Sequence, residues 1–480
     1  MSTRLQESSP VRSIAADRRE RILKGNLRQQ VILLAMPTLL QQFLTFCVGM
    51  FDTWLSGRID TAATTSIGVS AYVGWLAGLL VSTVSIGTTA MVSRHCGAGE
   101  PIQANKVMNV SLLVAQLFGF LMSSSLYLLA PFFVWSFRLQ GHTAEVALNY
   151  LRLDAIGHLL TGVTLVGAAA LRGSGDMKRP MAVLGAISIL NMLLSVSFVY
   201  GVGPGLGIGV PVPIVPAMGV YGIAAGTVSA RLIGGILMLS VLCVGSDPLK
   251  LCLHLLKPDF QIIRRLASLG SYAGLDSLIH WCGQFMFLMI IKRVVVPGVD
   301  DDALFAAHIV GIQVEAITFL PAMAWGQAAA TLIGQSLGAK KLKRAYKAGL
   351  EATMQCCIPA IVMTVVFFFG ADVIYRIMHT DAQVIQVGVP AFRAMAWFQV
   401  PLVTFLVLRS GLQGAGDTRF PMITTIFGNF MLRLPGAWFF GIYLNLGLMG
   451  AWCGMFMDIV FRACMMSWRY LSRTWLRIKV

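Results

Sequence analysis

Leu171-Arg172-Gly173-Ser174-Gly175-Asp176-Met177-Lys178-Arg179-Pro180-Met181 recurs, 241 residues downstream, as Leu412-Gln413-Gly414-Ala415-Gly416-Asp417-Thr418-Arg419-Phe420-Pro421-Met422. The same spacing relates Gly97-Ala98 to Gly338-Ala339 and Arg152 to Arg393. Three landmarks at one spacing identify an internal duplication. In each copy the glycines permit a tight turn at positive φ. The aspartate can cap the following helix or bind an arginine, and the proline suits that helix's first turn. Gly173, Gly175, Asp176, Gly414, Gly416 and Asp417 are therefore read as a structural hairpin clasp. No GxxxxGK[ST] motif occurs, which weakens a phosphate-binding reading and leaves no site for ATP-driven pumping.

Composition sets the environment of the repeat. The chain has 480 residues, 56% hydrophobic and 12% charged, against about 25% charged in ordinary soluble domains. That is too little polar material to coat soluble domains, so a polytopic membrane protein remains. The net charge of +16 is spread in short groups between apolar runs, as in the inside loops of a membrane protein, and excludes nucleic acid as a partner. Nine scattered cysteines, without paired spacing, give neither a disulfide framework nor a metal site.

A membrane crossing needs about 20 mostly apolar residues. That ruler predicts spans near 30–55, 62–90, 104–134, 144–171, 180–201 and 217–244, then 267–296, 303–334, 347–372, 384–412, 421–443 and 446–470. The fold class is all-α: twelve transmembrane helices in two six-helix bundles related by a parallel repeat. The expected division is a basic tail at 1–29, a first bundle at 30–245, a linker at 246–266, a second bundle at 267–470 and a tail at 471–480. No cleavage site follows the basic N-terminal stretch, which carries Arg4 and Arg12, so span 1 reads as an uncleaved anchor. Cations such as Arg94, Lys178, Lys250, Lys341 and Arg473 fall on the side of the termini, and Asp300, Asp301 and Asp302 on the other. The positive-inside rule then makes both termini cytoplasmic. Two halves of equal orientation form a central cavity that can open alternately to either side, which points to transport. Gly201–Pro216 reads as a long outer loop without a counterpart in the second half.

Further residues carry a resemblance. Ala35-Met36-Pro37 leading to Phe51-Asp52-Thr53 resembles the MATE family of multidrug and toxic-compound extrusion antiporters. So do Val92-Ser93-Arg94-His95-Cys96-Gly97-Ala98-Gly99, Gly334-Gln335-Ser336-Leu337-Gly338-Ala339, the two Gly-Asp loops and Arg433-Leu434-Pro435. The resemblance covers residues 30–470. It implies export of organic cations in exchange for protons or sodium ions, with no cofactor and no enzymatic activity. The implied setting is a monomer, in contact with membrane lipids, in a bacterial inner membrane. The family's helix-1 coupling acid falls on Asp52 and a helix-5 asparagine on Asn191. Ser195 stands where some members carry an aspartate. His280 and Leu402 replace the helix-7 and helix-10 acids of sodium-coupled members, which tilts the expectation toward protons.

Carboxylates inside the membrane are costly and are functional candidates by default. Asp52 binds the coupling cation on one reading and is a solvated acid at a helix end on the other. Asp154 and His158, like Asp276 and His280, lie one helical turn apart; each pair is either a proton relay or a self-satisfied buried pair. Glu315 is a second carboxylate for substrate or coupling, and Gln399 stands where His158 stands in the first half. Asp458 and Arg462 suit an intrahelical salt bridge, while Arg231 and Arg433 need acidic partners. Trp75, Trp281, Trp325 and Trp397 can line a cavity for flat cations or simply pack. The alternative function is a flippase of the same superfamily for lipid-linked oligosaccharide or peptidoglycan precursors, whose cavity calls for several central arginines.

Overall fold

The computed structural model describes residues 14–59, 61–201, 216–245 and 248–478. Arg4, Arg12 and nearly all of the expected 201–216 loop lie outside the described residues. A short helix α1 (Ile14–Lys24) precedes α2 (Leu27–Ser56), α3 (Thr61–Ala98), α4 (Pro101–Ser136), α5 (Gly141–Gly157), α6 (Thr161–Gly173), α7 (Lys178–Tyr200) and α8 (Val220–Val244). The second half comprises α9 (Phe260–Ile291), α10 (Asp301–Gly338), α11 (Leu342–Met378), α12 (Ala382–Ala396), α13 (Gln399–Gly414), α14 (Arg419–Phe427), α15 (Leu434–Trp438) and α16 (Gly447–Leu471). The expected polar tail thus contains a helix, α1, which span-length reasoning passes over because it is short and charged.

Among the described residues nine helices are each long and apolar enough to cross a membrane. Two further crossings are bent pairs, α5 with α6 at 43° and α12 with α13 at 56°. Both bends arise where backbone bonds tighten to a three-residue turn: His158 and Leu159 donate to Ala155 and Ile156, and Trp397 and Phe398 to Ala394 and Met395. Backbone carbonyls exposed at such a break need partners inside a membrane. Gln116 donates to the Leu159 oxygen at 3.4 Å and Thr364 to the Ala396 oxygen at 2.9 Å. The last crossing is the rod Arg419–Tyr443, in which α14 and α15 alternate with π-helical turns at Gly428–Arg433 and Phe439–Tyr443. Twelve crossings result, most with ends extending a few residues past the apolar runs because polar residues continue the helices beyond the hydrocarbon; α8 instead starts at Val220 and α9 stops at Ile291, short of the expected 217 and 296.

Helices α3 and α10 occupy equivalent places in the repeat and pack against each other, α3 also on α9 and α10 on α2. Their ends cross at one point. A Cβ on Gly97 would collide with the Gln335 backbone, and one on Gly338 with the backbone of Arg94. Residues 94 and 335 are themselves 241 apart, so the duplicated Gly-Ala pair is the signature of a symmetric crossing between the halves. Gln335 Nε2 and Thr331 Oγ1 tighten it by donating to the carbonyls of Gly173 (2.8 Å) and Arg172 (3.1 Å).

The Gly-Asp loops lie beside this crossing, on the face that carries α1 and the end of α16. Gly175 and Gly416 have φ of 87° and 93°, which requires glycine. Asp176 accepts from the backbone N–H of Arg179 at 3.3 Å and pairs with Arg18 of α1 at 3.3 Å. Asp417 accepts from the Phe420 N–H at 3.4 Å and pairs with Arg469 of α16 at 2.7 Å. Capping and arginine binding are therefore both present.

Candidate functional site

Each half buries a polar centre, and the two centres are built differently. In the first half, Asp154 ends α5 at the bend. Its Oδ1 accepts from Arg231 of α8 at 2.8 Å, while His158 Nε2 stands 3.6 Å from Oδ2. Glycines admit this packing. A Cβ on Gly157 would crowd the Arg231 side chain, and Gly74 on α3 faces the Asp154 carboxylate. The expected Asp154–His158 pair is thus brought together, with arginine as the closer partner of the acid.

Asp52 lies near the end of α2, and its Oδ1 is buried without a hydrogen-bond partner. Arg231 and Asp154 are its electrostatic neighbours. Asn191 donates instead to Thr227 Oγ1 at 3.1 Å, and Ser195 Oγ donates to Asn191 Oδ1 at 3.5 Å. Those two expected partners of Asp52 form their own polar contact between α7 and α8.

In the second half, a cavity of about 90 Å³ is lined by Asp276, His280, Glu315, Arg409, Arg433, Asp458 and Arg462, among others. Asp276 is fully buried and bonds to Arg409 of α13. The Asp276–His280 relay is accordingly replaced by an ion pair across two helices, since Arg409 reaches the carboxylate and the imidazole turns toward Trp75, with ring centroids 6.3 Å apart. Asp458 receives Arg462 at 2.5 Å within α16 and Arg433 at 2.9 Å from the Arg419–Tyr443 rod. The π-helical turn places Asn429 beside them, where it accepts from Arg462 Nη2 at 2.7 Å. Charges inside hydrocarbon are tolerable only when paired; Asp458 pairs with both arginines, and Arg462 is also hydrogen-bonded to Asp458 and Asn429.

Glu315 is the one acid lining this cavity that has no salt bridge among the described residues. It is buried, one carboxyl oxygen has no hydrogen-bond partner, and the amide of Gln399 lies beside it. At the repeat spacing Glu315 corresponds to Gly74, Met395 to Asp154 and Gln399 to His158. Each half thus sets one acid where these helices meet, but on opposite helices.

Of the four tryptophans, Trp75 and Trp281 lie between the halves. Trp281 is 4.9 Å from Tyr72 and stacked on Phe285 at 6.0 Å, ring to ring. Trp325 donates to Gln355 in the second-half core, and Trp397 projects outward at a bend. Sequence reasoning missed Arg409, although an arginine closing the apolar run Leu402–Leu408 was the available signal.

Comparison with known proteins covers the same ground. The sequence profile of the MatE family matches residues 37–197 and 277–439, one block in each half. The chain is 27% identical over 450 residues to the "Probable multidrug resistance protein NorM" of Thermotoga maritima, covering 94% of this chain and 93% of that one. It is 24% identical over 458 residues to the "Multidrug resistance protein PmpM" of Pseudomonas aeruginosa, covering 92% and 90%. Among solved structures, "Crystal structure of MATE in complex with MaL6" superposes with a TM-score of 0.85 at 19% identity, covering 95% of this chain and 98% of that one.

Proposed function

Because the chain belongs to the MatE family of efflux transporters, we propose that it exports organic cations across a bacterial inner membrane in exchange for protons or sodium ions. Its substrates are small cationic or amphiphilic molecules, and both termini are cytoplasmic. Multidrug resistance in the names of the NorM and PmpM relatives supports drug-like substrates.

One observation carries the coupling step: Asp52 has a buried carboxyl oxygen with no partner, while its neighbour Asp154 is held by Arg231. A carboxylate that burial leaves unpaired strongly prefers a bound proton or cation. An ion on Asp52 and a drug in the cavity that favour opposite openings exchange across the membrane, because each shifts the population the other requires. Glu315, next to Gln399, offers the second half the same chemistry, with Asp154, His158, Asp276 and His280 setting the surrounding charge.

The test is ethidium efflux from proteoliposomes under separately imposed proton and sodium gradients. Wild-type protein should respond to one gradient, and Asp52→Asn should abolish the response at equal reconstitution. Gradient-driven efflux by Asp52→Asn at the wild-type rate would remove Asp52 from the coupling step. Efflux under neither gradient would favour the flippase.

A further inference from the structure

Helix α1 is held by both halves at once. On the first half, Arg18 pairs with Asp176 at 3.3 Å, and Arg19 donates through Nε and Nη2 to the Gly97 carbonyl at 3.0 and 2.8 Å. Ile22 is buried against Gly175, where any Cβ would collide with it. On the second half, Arg344 at the start of α11 donates to the Ile22 oxygen at 3.0 and 2.6 Å and to the Gly25 oxygen at 2.8 Å. Lys341 donates to the Leu23 oxygen at 3.1 Å. These are cations on the last carbonyls of a helix, where the unpaired C=O groups and the helix dipole favour positive charge.

We infer that α1 is a strap that locks the terminal face shut by bridging the halves over the Gly97–Gly338 crossing, and that it must release Lys341 and Arg344 each time that face opens. The inference rests on the alternating opening of the proposed exchange cycle. The assignment of the releasing side follows from connectivity. Only Gly25 and Asn26 separate α1 from α2, so α1 travels with the first half. The bonds from Lys341 and Arg344 cross to the other half, and they end on backbone carbonyls, so water replaces them without leaving a buried charge behind. The strap thus adds a reversible polar clasp to a crossing that glycine packing already closes.

Cys96 reports on the strap. It is a free, buried thiol near the end of α3, within electrostatic reach of Arg18 and Arg19. In full-length protein retaining Cys96 as its one cysteine, the labelling rate with a water-soluble maleimide measures opening of this face. Lys341→Gln/Arg344→Gln should raise that rate about tenfold, the equivalent of about 1.4 kcal/mol. Arg344→Lys, which keeps the charge but not the two-pronged donation to Ile22, should raise it about threefold and serves if the double variant folds poorly. A parallel protein retaining Cys356 alone, fully buried in the second half, reports unfolding and should stay unlabelled. Unchanged Cys96 labelling, or an equal gain at Cys356, would overturn the strap. The readout needs neither substrate nor ion, so it succeeds or fails independently of the exchange assay on Asp52.

Discussion

Replacing Gly97 with alanine sets two effects of opposite sign against each other. Within a helix, alanine is favoured over glycine by about 1 kcal/mol. At Gly97, however, the new Cβ would fall on the backbone of Gln335, which has no rotamer by which to retreat. Overpacking of this kind costs about 1–3 kcal/mol, so the net change runs from about zero to 2 kcal/mol against closure. Gly338→Ala meets the Arg94 backbone in the same way, and the double variant should show the loss clearly. Gly78, also on α3, has open space where its Cβ would be, so Gly78→Ala should show only the gain. Thermal unfolding in detergent, followed by tryptophan fluorescence, reads both signs. The Gly97→Ala/Gly338→Ala midpoint should fall by a few degrees, while that of Gly78→Ala holds or rises. A Gly97→Ala/Gly338→Ala protein that melts at or above the wild-type temperature and exports at the wild-type rate would refute the crossing as the closure point.

Other outcomes follow from the buried charges and the caps. Arg409→Leu leaves Asp276 without its partner and should cost about 3–5 kcal/mol, whereas Arg409→Leu/Asp276→Leu should recover most of that; thermal midpoints of the three proteins check this. Asp417→Asn weakens both the helix cap and the tie to Arg469, and should lower the midpoint by an amount equivalent to about 1 kcal/mol. At the membrane-external start of α9, the hydrogen bond from Lys106 at 2.6 Å, joined by backbone N–H groups, holds the Asp259 carboxyl below its ordinary range. The stability it contributes is present above the ordinary carboxyl value and disappears as pH falls through the lowered one. Asp259→Asn should therefore lose less stability than wild type on acidification from about pH 5 to pH 3.

The architecture was legible because hydrocarbon imposes its own length and the duplication supplied a second reading of each landmark. Apolar run length located all twelve crossings, and the 241-residue spacing showed which loops correspond. Run length is blind to direction, so neither the bends after Gly157 and Ala396 nor the π turns around Asn429 could be read. Partner choice was legible where both members share a helix, as with Asp458 and Arg462. It failed for Asp276, whose partner Arg409 comes from another helix and whose sequence neighbour His280 offered a plausible substitute. Helix α1 escaped for a related reason. What orders it is a set of carbonyl acceptors and distant cations, and neither leaves a periodic trace in the sequence.

The crossing of α3 and α10 has the form of an interface between identical subunits. Residue 97 meets the counterpart of residue 94, and residue 94 meets the counterpart of residue 97. That reciprocity is the isologous contact of a two-fold dimer, here enclosed within one chain. In a true dimer every substitution strikes both contacts together, and neither side can change alone. Fusion lifts that constraint, because position 97 can vary while position 338 keeps the second contact intact. The same freedom shows deeper in the membrane, where one half carries its acid at Asp154 and the other at Glu315. A duplicated chain can thus keep the symmetry that lets it close while its two interiors diverge in chemistry.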